Sequence, residues 1–146
     1  MSSLSPLLFL ILVPTFSALL ILIGANPRST SILGSAVNLL FLLALVVFYR
    51  PMELGYQFVS SFPVVPHLGI SFTLGADGLS LVMLFLSTVV TLAAVCVAKT
   101  PDNNPRWYYA SLLLISSGVI GAFASVDVFF FYMFHELALI PTFLLI

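Results

Sequence analysis

The constraint that dominates this sequence is the spacing of its charges, which are separated by apolar runs of about 20 residues, the length of helix that crosses the hydrocarbon of a bilayer. Of the 146 residues, 62% are hydrophobic and 6% charged. A water-soluble domain carries about 25% charged residues because its surface has to be coated with them. The chain therefore reads as an all-α integral membrane protein. Spans are expected at about 4–23, 30–49, 78–98, 107–126 and 128–146 of one membrane domain. Pro14 falls mid-span in the first of them, where it removes a backbone donor and bends the helix.

The opening, MSSLSPLLFL, lacks a basic stretch, and its apolar run continues to Ile23 without a small-residue cleavage site. It is expected to stay as a span and not to be removed as a signal peptide. At the other end the fifth run reaches Ile146 with no polar residue after it. A last span is ordinarily followed by interfacial polar residues, so the sequence is expected to be a fragment.

Residues 52–76 are too polar for a span and too long for a simple turn. Ile70-Ser71-Phe72-Thr73-Leu74 alternates apolar and polar, the pattern of a half-buried strand, and Phe58 to Phe62 is its expected antiparallel partner. The reading is an extramembrane β-hairpin between the second and third spans. Asp77 then stands where a helix N-cap accepts hydrogen bonds from first-turn N–H groups. Arg28, Lys99 and Arg106 lie in the first and third loops, against Arg50 alone in the second. By the excess of basic residues on the cytoplasmic side, the hairpin and the N-terminus are extracytoplasmic.

Four scattered basic residues give no nucleic-acid footprint. One cysteine, Cys96, removes any intrachain disulfide and any multi-cysteine metal site; it is expected to pack as a small buried residue. No phosphate-binding glycine loop, metal-ligand cluster or nucleophile–base pairing is present.

Glu136 is the exception to the charge pattern. It lies about 12 Å of helix beyond Val128, near mid-span, where insertion scales put an acidic residue at about 3 kcal/mol. It is expected to face the interior of a bundle and either pair with a cation or hold a proton, as a relay carboxylate; the plainer reading is a packing acid bonded to a neighbouring helix. His135 and Tyr132, the latter one turn before Glu136, are secondary candidates for the same relay. Pro141 frees the carbonyl of Leu137, beside Glu136. Asp127 reads as the cap of the fifth helix. Ser31, Ser35 and Asn38 form a polar stripe on the second, and Ser117 with Gly121 a small-xxx-small pair on the fourth. Trp107, Tyr108 and Tyr109 fit an interfacial belt.

The run FFFYMFHELALIPTFLLI, Phe129 to Ile146, resembles the fifth transmembrane helix of subunit M of bacterial NADH:quinone oxidoreductase, the relative of mitochondrial chain 4. The acid followed by Leu-Ile/Val-Pro falls here at Glu136 and Leu139-Ile140-Pro141. Phe72 to Ser80 resembles that family's hairpin exit and third-helix start, and Gly121 to Asp127 its fourth-to-fifth connection. Where many relatives place an aromatic or apolar residue, this chain has His135.

The resemblance implies a fourteen-helix antiporter-like fold of which five helices are present. It also implies a lysine on the seventh or eighth helix as partner of Glu136, and a proton-translocating role without a redox site in this chain. NADH, flavin, iron–sulfur clusters and quinone would belong to other subunits, no cofactor or metal being bound here. The implied partners are membrane-arm subunits, including neighbouring antiporter-like ones, and the implied location is the bacterial plasma membrane. Multi-subunit Na+/H+ antiporters and membrane-bound hydrogenases share the architecture and are the runner-up. A structural anchor without an ion path is the third reading.

Overall fold

A computed structural model describes residues 5–52, 54–99 and 103–146. The element order is α1 (Pro6–Ile23), α2 (Pro27–Phe48), β1 (Gln57–Val65), a 3-10 turn (Pro66–Leu68), β2 (Ile70–Ala76), α3 (Gly78–Val97), α4 (Pro105–Ala124) and α5 (Val128–Leu145). All five helices are long and apolar enough to cross a membrane. The expected start of the first span at Leu4 lies outside the described residues. Prolines open α1, α2 and α4, a position where the missing N–H costs nothing and the fixed φ suits the helix. That is why α2 begins at Pro27 and α4 at Pro105, ahead of the sequence expectation. Pro14 and Pro141 are carried inside α1 and α5 without ending them.

The hairpin forms as expected. Ser61 pairs with Thr73, Phe62 with Phe72 and Pro63 with Ser71, with irregularities on either side of this stretch. It is tied down at two points. Gln57 accepts from the Arg50 backbone N–H at 3.0 Å and donates to the Arg50 carbonyl at 2.6 Å, fixing the end of α2. The Val126 N–H donates to the Thr73 carbonyl at 3.0 Å, joining β2 to the link between α4 and α5. Leu74 and Ala76 are fully buried in the main apolar cluster with Leu7, Leu10, Leu84 and Ile120.

α4 is the hub, in contact with every other helix. Its small residues allow this, since close backbone approach is what drives helix association where solvent is as apolar as the side chains. A Cβ on Gly118 would come within 2.9 Å of the Phe134 carbonyl, and one on Gly121 would overlap the Phe134 ring. Ser117 instead turns to α1: its hydroxyl lies 2.7 Å from that of Thr15, and both reach the Ile11 carbonyl. The expected Ser117–Gly121 pair is thus divided between two seams. A further hydroxyl bond, Thr91 to Ser116 at 3.0 Å, joins α3 to α4.

Two more expectations are corrected. Cys96 is exposed on α3 and not buried. Of the aromatic belt only Trp107 is well exposed; Tyr109 is fully buried, its hydroxyl donating to the Ala98 carbonyl at 3.4 Å.

Candidate functional site

α5 has one packed side. Its buried residues are Phe130, Phe134, Ala138 and Pro141, spaced 4, 4 and 3, which draws a single stripe along a helix of 3.6 residues per turn. Phe130 and Phe134 meet Phe72 of the hairpin at ring distances of 4.8 and 6.0 Å, and Phe134 and Ala138 close on the glycines of α4. The stripe is therefore fixed from two directions.

Glu136 stands two residues from both Phe134 and Ala138, about 200° round the helix from each. It is exposed, as are His135 and Tyr132. The expectation that Glu136 faces the interior of the bundle is thus corrected for these five helices: it faces outward. At this depth the outside is hydrocarbon or another helix, where a lone carboxylate is costly. The four basic residues stand at helix ends or in loops, so none of the five helices brings a cation to the level of Glu136.

The three candidates of α5 are brought onto one broad face. The His135 ring lies parallel to that of Phe131, one turn earlier, at 6.4 Å and 6°. It is 6.3 Å from the Tyr132 ring, tilted by 59°. The helix continues through Pro141, with the Thr142 hydroxyl donating back to the Ala138 carbonyl at 2.8 Å.

Two other acids, Asp77 and Asp127, act as caps. Asp77 accepts from the Ser80 N–H at 2.7 Å, and Asp127 from that of Phe129 at 2.7 Å. The bond from Ser80 holds the Asp77 carboxyl below the usual value of 3.8. Inside the bundle the polar groups are neutral. Ser31, Ser35 and Asn38 are buried on α2 as the stripe required. The two serines donate to carbonyls one turn back, while the Asn38 Oδ1 is buried without a hydrogen-bond partner among the described residues. The hydroxyl bonds Thr15–Ser117 and Thr91–Ser116 were missed by the sequence reading; their signal was single hydroxyls within apolar runs. Among the described residues no three His, Cys, Asp or Glu side chains group as metal ligands.

No family model matches the chain. It is 37% identical over 113 residues to NAD(P)H-quinone oxidoreductase chain 4 2 of Synechococcus sp. (strain JA-2-3B'a(2-13)), covering 77% of this chain and 21% of that protein. With the chloroplastic chain 4 of Chara vulgaris it shares 34% over 143 residues, 94% of this chain and 29% of the relative. The chain thus spans less than a third of the length of these relatives. Among solved structures, respiratory complex I from Thermus thermophilus with bound NADH superposes with a TM-score of 0.80 at 27% identity, over 94% of this chain and 28% of the other. An archaeal membrane-bound sulfane sulfur reductase shares the fold, with a TM-score of 0.75 at 24% identity over 92% of this chain and 22% of that one.

Proposed function

The chain belongs, over the stretch it spans, to the chain 4 family of NAD(P)H-quinone oxidoreductases, and on that premise we propose that it is a proton-translocating subunit in the membrane arm of such a complex. The observation that carries this reading is Glu136. It is an acid at the middle of a span, on the one helix face that the other four leave open, with no cation at its level. An intramembrane acid so placed requires an ionisable partner or a bound proton. A lysine on a further helix, as the resemblance implies, would supply the first and create the second each time the pair opens. His135 and Tyr132 share that face and extend the relay.

In this reading the work is electrostatic. Electron transfer from NADH to quinone takes place in other subunits, which hold the flavin, the clusters and the quinone site, and this chain contributes no redox group. Moving one charge across 100 mV takes about 2.3 kcal/mol, the order that forming or breaking one buried pair shifts a proton equilibrium. The partners are other membrane-arm subunits and the bilayer. The chain is a multi-pass membrane protein, and the bacterial plasma membrane is the site we assign it, although the Chara relative is chloroplastic. The runner-up, a subunit of a multi-subunit Na+/H+ antiporter or a membrane-bound hydrogenase, is the weaker reading because both sequence relatives carry chain 4 names.

Replacing Glu136 by Gln tests this. In the assembled complex NADH-driven proton pumping is expected to fall by at least tenfold, the effect of about 1.4 kcal/mol on the limiting step. Normal pumping by an assembled Glu136→Gln complex would leave the chain a structural anchor.

A further inference from the structure

The end of the bundle where α1 finishes and α4 begins holds two cavities with a common wall. One, of about 520 Å3, opens beside the first turn of α4 and is lined by Leu22, Asn104, Pro105, Arg106 and Trp107. The other, of about 150 Å3, is a slot between α4 and α5 that includes Ala110, Leu114, Pro141 and Leu144. Leu22 and Trp107 line both. Leu114 lies eight residues into the span from Arg106, so the slot descends about 12 Å along the helix axis.

We propose that the two cavities form one binding site for an anionic phospholipid, with the phosphate at Arg106 and the first methylenes of one acyl chain in the slot below Trp107. Three observations converge on this amphiphile. The wide mouth carries an exposed guanidinium, whose fork of donors matches phosphate oxygens. The slot beneath it is lined almost wholly by apolar side chains, and an indole at the junction is the residue that settles at the headgroup boundary. The same end of the molecule is the basic one. Among the described residues Arg28, Lys99 and Arg106 stand at that end, whereas the hairpin end holds Arg50 with the acids Asp77 and Asp127. Anionic lipids gather at such a basic membrane face.

Two other membrane-facing grooves provide the contrast. The α2–α3 groove, of about 490 Å3, and the α3–α4 groove, of about 330 Å3, have no charged residue in their walls. They can hold lipid tails but cannot select a headgroup.

The site is independent of the proton-transfer reading, because neither Arg106 nor the slot involves Glu136. Native mass spectrometry of the protein in mild detergent, titrated with phosphatidylglycerol or with phosphatidylcholine of the same chains, tests it. Phosphatidylglycerol is expected to be retained about fivefold better, the ratio that about 1 kcal/mol per surface arginine gives, and Arg106→Gln is expected to abolish that preference. Leu144→Trp, at an exposed wall of the slot, is expected to lower retention of both lipids and keep the preference among the molecules still bound. Equal retention of the two lipids by the unaltered protein would overturn the proposal. So would an undiminished preference in Arg106→Gln, full retention in Leu144→Trp, or displacement by inorganic phosphate as effective as by phosphatidylglycerol.

Discussion

α4 and α5 are neighbours of nearly equal length, and they treat polarity in opposite ways. In α4, 61% of the membrane-length window is buried against 22% in α5. The serine hydroxyls Ser117 and Ser116 of α4 meet α1 and α3, and that of Ser125, its C-cap, returns to the Gly121 carbonyl. α5 instead leaves a carboxyl, an imidazole and a phenol on its outer face. The difference separates polarity that assembles helices from polarity that remains available for chemistry. A satisfied hydroxyl in hydrocarbon contributes packing and a bond of about 0.6 kcal/mol. An unsatisfied acid at the same depth has to acquire a proton or a partner.

The largest stability effect expected within this comparison is at the α4–α5 seam. Gly121→Val drives a branched side chain into the Phe134 ring, and overpacking of this kind costs about 3 kcal/mol. A lowered thermal midpoint in detergent checks it. An enlargement on the open face, Leu139→Phe at an exposed position, is expected to leave the midpoint unchanged. If the two changes cost the same, the distinction between the faces fails. Ser117→Ala sharpens the contrast at a smaller scale. Losing the contacts with Thr15 and Ile11 is expected to cost about 0.6 kcal/mol, the mean for interhelical hydrogen bonds in membranes, measured in the same assay.

Much of this division was legible in the sequence. Five spans follow from charge spacing, and the hairpin follows from the alternation in Ile70 to Leu74. Both rest on local periods that a chain cannot hide. Even the outward direction of Glu136 was available, because Phe130, Phe134, Ala138 and Pro141 mark the packed stripe and Glu136 falls opposite it. The rule that membrane acids face inward holds for a whole bundle, and these five helices leave the face of α5 that carries Glu136 uncovered. What no local pattern supplied was the choice of partner: that Ser117 would turn to α1 while Gly121 turned to α5, or that Tyr109 would bury its ring while Trp107 stayed out. Those outcomes depend on where non-adjacent helices come to lie, which periodicity does not encode.

An effect that depends on pH concerns the caps. The folded-state value for Asp77 is below 3.8, so its stabilising contribution is complete at neutral pH and is lost as the pH falls through that lowered value. Asp77→Ala is expected to cost about 1 kcal/mol at neutral pH, as loss of an N-cap does. That difference from the unaltered protein should shrink in acid. A difference that stays constant to the lowest pH at which the fold persists would mean that the carboxylate is not what caps α3.

The central claim is that the open face of α5 carries an acid that changes protonation during turnover. Infrared difference spectroscopy of the assembled complex, recorded before and after addition of NADH, observes a carboxyl group directly through its C=O stretch. A carboxyl signal present in the unaltered complex and missing from Glu136→Gln is the expected result. Identical difference spectra from the two complexes, both turning over, would contradict it and return Glu136 to a packing role.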